Sequence, residues 1–422
     1  MWTQKMLVKA IHEGRLNTLL DTLYGERRMS GKRLMALAER HEALFGVRDV
    51  SIFSAPGRVE LGGNHTDHQN GLVLAAAVDA DMLAAAAPNG TNVVHIVSEG
   101  FPDTVVDLND LLPREKERGT TAALVRGCAA GAVSRGISLC GIDICITSNI
   151  PTGGGLSSSA AFEVLIAGIF SAYSQKRLTP VEMAQVGQFA ENRYFGKPCG
   201  LMDQCASACG GIVQMDFRDS TSPEIEQIPF RFAECGHTIC AVDSGAGHEN
   251  LTEEYAAIPT ELASVCAFFG KSVLREIRET AFYEHLPALR AAVGDRAVLR
   301  AMHVFAENRR VEAEAEALRT GDFSAFLCLA SASGNSSALY LQNVTPCGAV
   351  QDQALALTLA VCSHALNGKG ACRVHGGGFA GAALAFVPDE LLDAFQIEVN
   401  NLLGKGKCRV LRLREPGFAQ IT

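Results

Sequence analysis

Residues 151–160, Pro151-Thr152-Gly153-Gly154-Gly155-Leu156-Ser157-Ser158-Ser159-Ala160, set three glycines and a leucine before three serines. Three glycines let a backbone curl and approach a ligand closely. If a helix opens at the serines, its first N–H groups have no partner within the helix, and its dipole favours an anion there. The hydroxyls add donors for phosphate oxygens and ligands for a hard cation such as Mg²⁺. The chemistry indicated is phosphate binding, against the alternative of a plain Gly-rich turn with serine caps. The stretch is not a Walker loop. Gly270-Lys271-Ser272 has the end of one, but Val265 stands where its first glycine should be. Gly376-Gly377-Gly378-Phe379-Ala380-Gly381 matches G-x-G-x-x-G literally, yet it runs into a strand-like segment, 383–387, rather than a helix.

Two further groups carry polar side chains in places a core would not use. Residues 57–71 combine glycine and asparagine turn positions with Arg58, Asn64, His65 and Asp67. Little there beyond Val59 and Leu61 is apolar, so the block reads as a loop presenting polar groups to a polar ligand. His65, Asp67 and His68 could instead bind a metal, although zinc sites usually recruit three or four protein ligands. Asp203, between Met202 and Gln204, precedes an Ala/Cys/Gly-rich run. A carboxylate there is costly to bury unless paired or used; a helix-start cap is the bland alternative.

The elements that must hold these groups follow from patterning. Ile142, Ile144 and Ile146 alternate as in a strand, and an apolar helical run follows from Ala160 to about Tyr173. Residues 51–55 read as a strand ending at Pro56; 72–78, 82–87 and 93–97 read as strands, and 120–135 as a buried helix. Thr179-Pro180-Val181-Glu182 is a capping box with proline at the first helical position, opening a helix expected to reach Phe195 and to carry Glu191. Residues 1–45 have helical spacing and little chemistry.

The chain has 422 residues, enough for two or three domains. It carries a net charge of −9 and no basic block, a poor match to nucleic acid or anionic membranes. It shows neither an 18-residue apolar run nor a signal-peptide core. Its fourteen cysteines include no C-x-x-C pair, and Cys128, Cys240 and Cys362 read as reduced core residues of a cytoplasmic protein. A monomer is expected.

Several separated segments together resemble the GHMP small-molecule kinases, and within them the galactokinase branch. Residues 55–71 resemble that branch's N-terminal signature. Residues 151–160 look like the family's phosphate loop, 199–204 like the segment bearing a catalytic Asp, 243–255 like the segment whose Tyr touches the sugar, and 373–387 like the third motif. The resemblance implies an α+β fold of two domains, 1–215 like the second domain of ribosomal protein S5 and 216–422 ferredoxin-like. It implies ATP and Mg²⁺, with phosphoryl transfer to the anomeric hydroxyl of galactose. Arg58 and Asp203 would be catalytic. Asn64, His65, Asp67, Gly200 and Tyr255 would line the sugar pocket. Gly153, Gly154, Gly155, Leu156, Ser157, Ser158, Ser159 and Ala160 would hold ATP, and Ser159 and Glu191 the metal.

The departures from the branch are specific. Asn64 stands where a Glu usually binds the sugar's 6-hydroxyl, Glu60 replaces an Asn, His68 a Tyr and Ala380 a Gly. Residues 120–127 lack the Trp often found near the adenine; the only Trp is Trp2. An Asn at position 64 would make a weaker, uncharged hydrogen bond to the sugar, so Asn64→Glu is expected to tighten galactose binding by roughly 1 kcal/mol. A non-catalytic sugar sensor remains an alternative, although Ser158-Ser159-Ala160 and Asp203 are complete. So does another GHMP kinase acting on a related hexose or amino sugar. Homoserine or mevalonate-type kinases lack the His65-Thr66-Asp67 loop.

Overall fold

The computed structural model describes residues 2–25, 27–151, 154–247 and 251–422. Two sheets organise it. The strands are β1 (Ser51–Gly62), β2 (Leu72–Pro88), β3 (Val93–Ser98), β4 (Thr104–Asp107), β5 (Ile142–Ser148), β6 (Ile212–Asp216), β7 (Glu224–Ile228), β8 (His237–Asp243), β9 (Ala371–His375), β10 (Ala382–Pro388), β11 (Cys408–Leu411) and β12 (Ala419–Gln420). The first sheet runs β12-β1-β2-β5-β3-β4, with β6 also on β2 and β7 on β6; only β3 and β5 pair in parallel. The second runs β11-β8-β10-β9, all antiparallel. Its spatial order is therefore fourth, first, third, second strand. With helix Leu392–Leu403 between β10 and β11, this is the ferredoxin-like split arrangement.

The first sheet is buried on both faces, which is why β1 and β2 read as near-continuous apolar runs. Val73, Ala75, Ala84 and Ala86 face a core made with helices Thr121–Val133, Ser158–Ala172, Pro180–Ala190 and Met202–Cys209. On the opposite face, Leu72, Leu74 and Ala76 meet Val311, Ala315, Phe326, Leu384 and Phe386 of the second layer. Further along β2, Leu83, Ala85 and Ala87 are covered by the N-terminal helices through Leu20, Leu23 and Leu34.

Four sequence expectations need correction. The strand expected to end at Pro56 continues to Gly62. The pairing with β2 shifts between Pro56 and Arg58, a bulge that absorbs the missing proline N–H and turns the strand beside Arg58. The strands expected at 72–78 and 82–87 are one, β2. Its polar break survives because Asp81 is held by Arg33 at 2.9 Å, by the Tyr24 hydroxyl and by Ser54. The helix expected to run to Phe195 is regular only over Pro180–Ala190, and Glu191–Phe195 forms a wider π-helical turn. The division expected after residue 215 cuts an antiparallel pair, because Asp216 of β6 is registered on Glu224 of β7. β12, near the C-terminus, also returns to β1, so the expected halves 1–215 and 216–422 share one sheet.

Candidate active site

The phosphate loop is fixed from below. Helix Ser158–Ala172 opens after Ser157, whose backbone is left-handed at φ 54° and whose hydroxyl does not cap the helix. That hydroxyl donates instead to Asp203. Leu156 and Ala160 bury their side chains in the core, so each offers a ligand only backbone. The Leu156 carbonyl accepts from the Arg58 N–H at 3.2 Å. Gly57 permits this approach, since a Cβ there would lie 2.7 Å from the same carbonyl. Gly154 and Gly155 complete the described part of the loop; the expected ATP contact Gly153 lies outside the described residues.

Arg58 projects from the bulge of β1 and grips Asp203, in the first turn of helix Met202–Cys209, through two parallel bonds. Nε meets Oδ1 at 2.6 Å and Nη2 meets Oδ2 at 2.8 Å. Nη1 donates to the Gly155 carbonyl. Burial pushes the Asp203 pKa up, but the Arg58 charge and the bonds from Arg58 and Ser157 outweigh it, and the net shift is downward. The Asp203 side chain is still 31% exposed, open to a ligand.

Beside this pair, Ser159 Oγ lies 3.5 Å from Glu191 Oε1. A hydroxyl and a carboxylate from two helices converge at a helix start, a donor set that suits Mg²⁺ completed by phosphate and water. Among the described residues no cluster of three or more His, Cys, Asp or Glu could hold a metal. Sequence reasoning gave no role to three neighbours. Lys197 Nζ sits 3.1 Å from Glu191 Oε1. Gln204 Nε2 bridges Glu191 Oε2 at 3.1 Å and Glu163 Oε2 at 2.9 Å. Glu163 is fully buried, and burial, then the Glu191 charge, pushes its pKa well up. Its signal was available: it is the only charged residue in helix Ser158–Ala172.

Asn64, His65 and Tyr255 gather around Gly376, Gly377 and Gly378. His65, left-handed at φ 63°, donates through Nε2 to the Gly377 carbonyl at 3.0 Å. Burial pushes its pKa down to about 3, so the ring is neutral. The Tyr255 hydroxyl donates to the Gly378 carbonyl at 2.7 Å. Asp67 abuts Gly200 so closely that a Cβ on Gly200 would strike Asp67 Oδ2. Asn64 is the exception, and the expectation that it faces the sugar is not met. Its side chain is fully buried and uses all its hydrogen-bonding positions inward. It donates to Glu60 Oε1 at 2.9 Å and to the Gly376 carbonyl at 2.7 Å, and accepts from Asn343 at 2.8 Å and Ser337 at 3.3 Å. A saturated amide has nothing left for a ligand.

Comparison with known proteins follows the same lines. Residues 123–211 match the model for the GHMP kinases N terminal domain, and residues 39–88 the galactokinase galactose-binding signature. The crystal structure of Lactococcus lactis galactokinase complexed with galactose superposes with a TM-score of 0.78 at 24% identity, covering 91% of this chain and 98% of that one. Methanococcus jannaschii mevalonate kinase gives 0.61 at 14%, covering 86% and 98%. The fold is thus that of the GHMP small-molecule kinases. Among curated proteins, the galactokinase of Chloroflexus aurantiacus is 33% identical over 373 residues, 86% of this chain and 90% of that protein. That of Streptomyces coelicolor is 30% identical over 384 residues, 90% and 95%. The chain belongs to the galactokinase family.

Proposed function

We propose that the protein transfers the γ-phosphoryl group of ATP to the anomeric hydroxyl of galactose, giving galactose 1-phosphate and ADP. The observation that carries this reading is the Arg58–Asp203 pair held against the Gly155 carbonyl and Ser157 of the phosphate loop. In this reading His65, Asp67, Gly200 and Tyr255 hold the sugar, and 154–160 hold the phosphates. Asp203, kept ionised at neutral pH, accepts the proton of the anomeric hydroxyl as its oxygen bonds to phosphorus. The bond from phosphorus to the ADP oxygen breaks, and its electron pair leaves with ADP. Arg58, always charged and forked, offsets the charge that spreads over the phosphoryl oxygens. Ser159 and Glu191 would hold Mg²⁺, which neutralises phosphate charge when bound. Glu191→Gln should then raise the Mg²⁺ concentration for half-maximal rate several-fold, and an unchanged Mg²⁺ curve would remove Glu191 from that role.

Because Asn64 leaves no free polar atom at the pocket, a 6-deoxy sugar strands none of its groups, and the site should discriminate weakly at carbon 6. All fourteen cysteines carry free thiols, which suits the cytoplasmic location included in this proposal; a monomeric state is proposed with it. Among the described residues no helix is long and apolar enough to cross a membrane. A panel of galactose, 6-deoxygalactose, other hexoses and amino sugars with ATP and Mg²⁺, read by ADP release and product identity, tests the reading. Galactose should be converted to its 1-phosphate. If only another hexose or an amino sugar reacts, the substrate assignment fails and the kinase class survives; no turnover with any sugar favours the sensor.

A further inference from the structure

His375 ends β9 and stands between the two halves of the site. It is buried, yet no role in the reaction follows from anything above. Its Nδ1 accepts from the Glu60 N–H at 3.4 Å. A neutral imidazole that accepts at Nδ1 must carry its proton at Nε2. That Nε2 is buried and makes no hydrogen bond of good geometry, although the Gly155 carbonyl lies close by. A buried, unpaired donor is uncommon and calls for an explanation. The ring lies against the phosphate loop: a Cβ on Gly155 would be 3.1 Å from its Cδ2 and 3.6 Å from its Nε2. Burial, then the charges of Arg58 and Arg373, push the His375 pKa down to about 3, while Asp203 and the Gly155 carbonyl oppose the fall. The group beside the loop is therefore an uncharged donor at any physiological pH.

The Gly155 carbonyl already has a donor, Nη1 of Arg58. The other two nitrogens of that guanidinium are committed to Asp203. These bonds use three of the five guanidinium N–H groups and hold its plane toward Asp203 and the loop backbone rather than toward a phosphoryl group. Freeing Nη1 alone would leave the carbonyl unpaired, which is costly next to a packed loop. We propose that His375 is a positioning residue for the phosphate loop: its Nε2–H takes the Gly155 carbonyl over from Arg58, so that Nη1 turns to the phosphoryl oxygens. The proposal rests on the kinase reading above for the identity of the phosphoryl donor. No bond to His375 forms or breaks, and it neither gives nor takes a proton.

Two variants and one spectroscopic measurement test it. His375→Phe keeps the ring volume and removes the donor; His375→Gln returns a donor near the Nε2 position. Phe should lower kcat about tenfold, the scale of one hydrogen bond at a critical group, with galactose binding unchanged. Gln should recover most of that loss. A purely structural role would leave Gln no better than Phe, and that result overturns the proposal. In the unaltered chain, nitrogen NMR of His375 should show Nε2 protonated and Nδ1 bare from pH 5.5 to 8, and the Nε2 proton should shift when Mg²⁺ and a non-hydrolysable ATP analogue carrying a γ-phosphoryl group are added. A ring that titrates in that range, or an Nε2 signal indifferent to that analogue, overturns it even if both variants fail to fold. Because binding of the analogue needs no turnover, this arm still decides the handover should galactose prove the wrong sugar.

Discussion

The two halves of the site use polar residues in opposite ways. At the phosphate corner, Arg58, Asp203 and Ser157 bond to one another and to loop backbone, and Asp203 stays partly open. Behind the sugar loop, Glu60, Asn64, Arg373, Glu307, His303 and Glu314 are all buried. Arg373 meets Glu60 Oε1 at 2.6 Å and the Leu61 carbonyl at 2.5 Å. The long helix Asp295–Thr320 reaches the loop through His303, bonded to the Asn64 carbonyl at 3.0 Å, and through Glu307, which accepts from the Gly63 N–H at 3.1 Å. Substitutions at the first corner should change rate, and those at the second should change folding. The residue pair at 60 and 64 makes the point: carboxylate and amide stand opposite to the order usual in the branch, yet they still bond to each other.

The largest expected effect comes from Asn64→Glu. It sets a second carboxylate against Glu60 in a buried site where Arg373 is already bonded to Glu60 and Arg58 to Asp203. We expect a loss of about 3–5 kcal/mol in unfolding free energy, the usual cost of an uncompensated buried charge, read by chemical denaturation. Glu60→Gln in the same chain should restore part of it. A stable Asn64→Glu protein that binds galactose more tightly would put residue 64 in the pocket after all and erase the contrast. Next is Asp203→Asn, which keeps shape and removes charge. The rate should fall about 10²-fold or more, with ATP binding retained. Wild-type turnover by the purified variant would end the assignment of Asp203.

What was legible in the sequence divides along the same line. The Gly/Ser run, the capping box at Thr179 and the alternation of β5 are local signals, and the structure places a helix or strand at each. Motif spacing was enough to bring Arg58, Asp203 and the phosphate loop together. The direction of the Asn64 side chain was not legible, because it depends on Asn343, Ser337 and Gly376, roughly 270–310 residues away in sequence. Gln204 and His375 escaped for the same reason, their partners lying on other elements, whereas Lys197 meets Glu191 only six residues back, across the wider turn that ends its helix. Glu163 did not have to escape, since a lone carboxylate in an apolar helix is a flag in its own right.

A third, smaller effect separates the corners by pH. Glu314 lies behind the sugar loop where a Gly62 side chain would go, and neither carboxyl oxygen has a hydrogen-bond partner. Burial pushes its pKa up to about 8, against the pull of Arg373 and Arg310. The folded state therefore keeps a proton that the unfolded state loses above about 4.5, so this group costs stability increasingly as pH rises from there toward 8. Glu314→Gln removes the titration. The stability gap between variant and wild type should widen in the variant's favour by on the order of 2 kcal/mol between pH 5 and pH 7. Parallel stability curves across that range would mean that Glu314 is ionised and paired.

The smallest effect should come from Ser157→Ala, and it tests the phosphate corner alone. Asp203 is pulled two ways: burial raises its pKa, while the Arg58 charge, the Arg58 bonds and the Ser157 hydroxyl lower it, and the lowering side wins. Removing one hydroxyl weakens that side without touching Arg58, so the Asp203 pKa should rise. The working form is the carboxylate, so the acid limb of kcat/KM should move to higher pH while the rate at pH 7.5 changes little. Stability should follow with the same sign. A depressed carboxyl contributes stability that is full above its ordinary value of 3.8 and is lost as pH falls through the folded value. In the variant that contribution should be smaller, and its loss should be complete at a higher pH. If Ser157→Ala leaves the limb where it was, the Ser157 bond does not tune Asp203, and Arg58 alone holds it ionised.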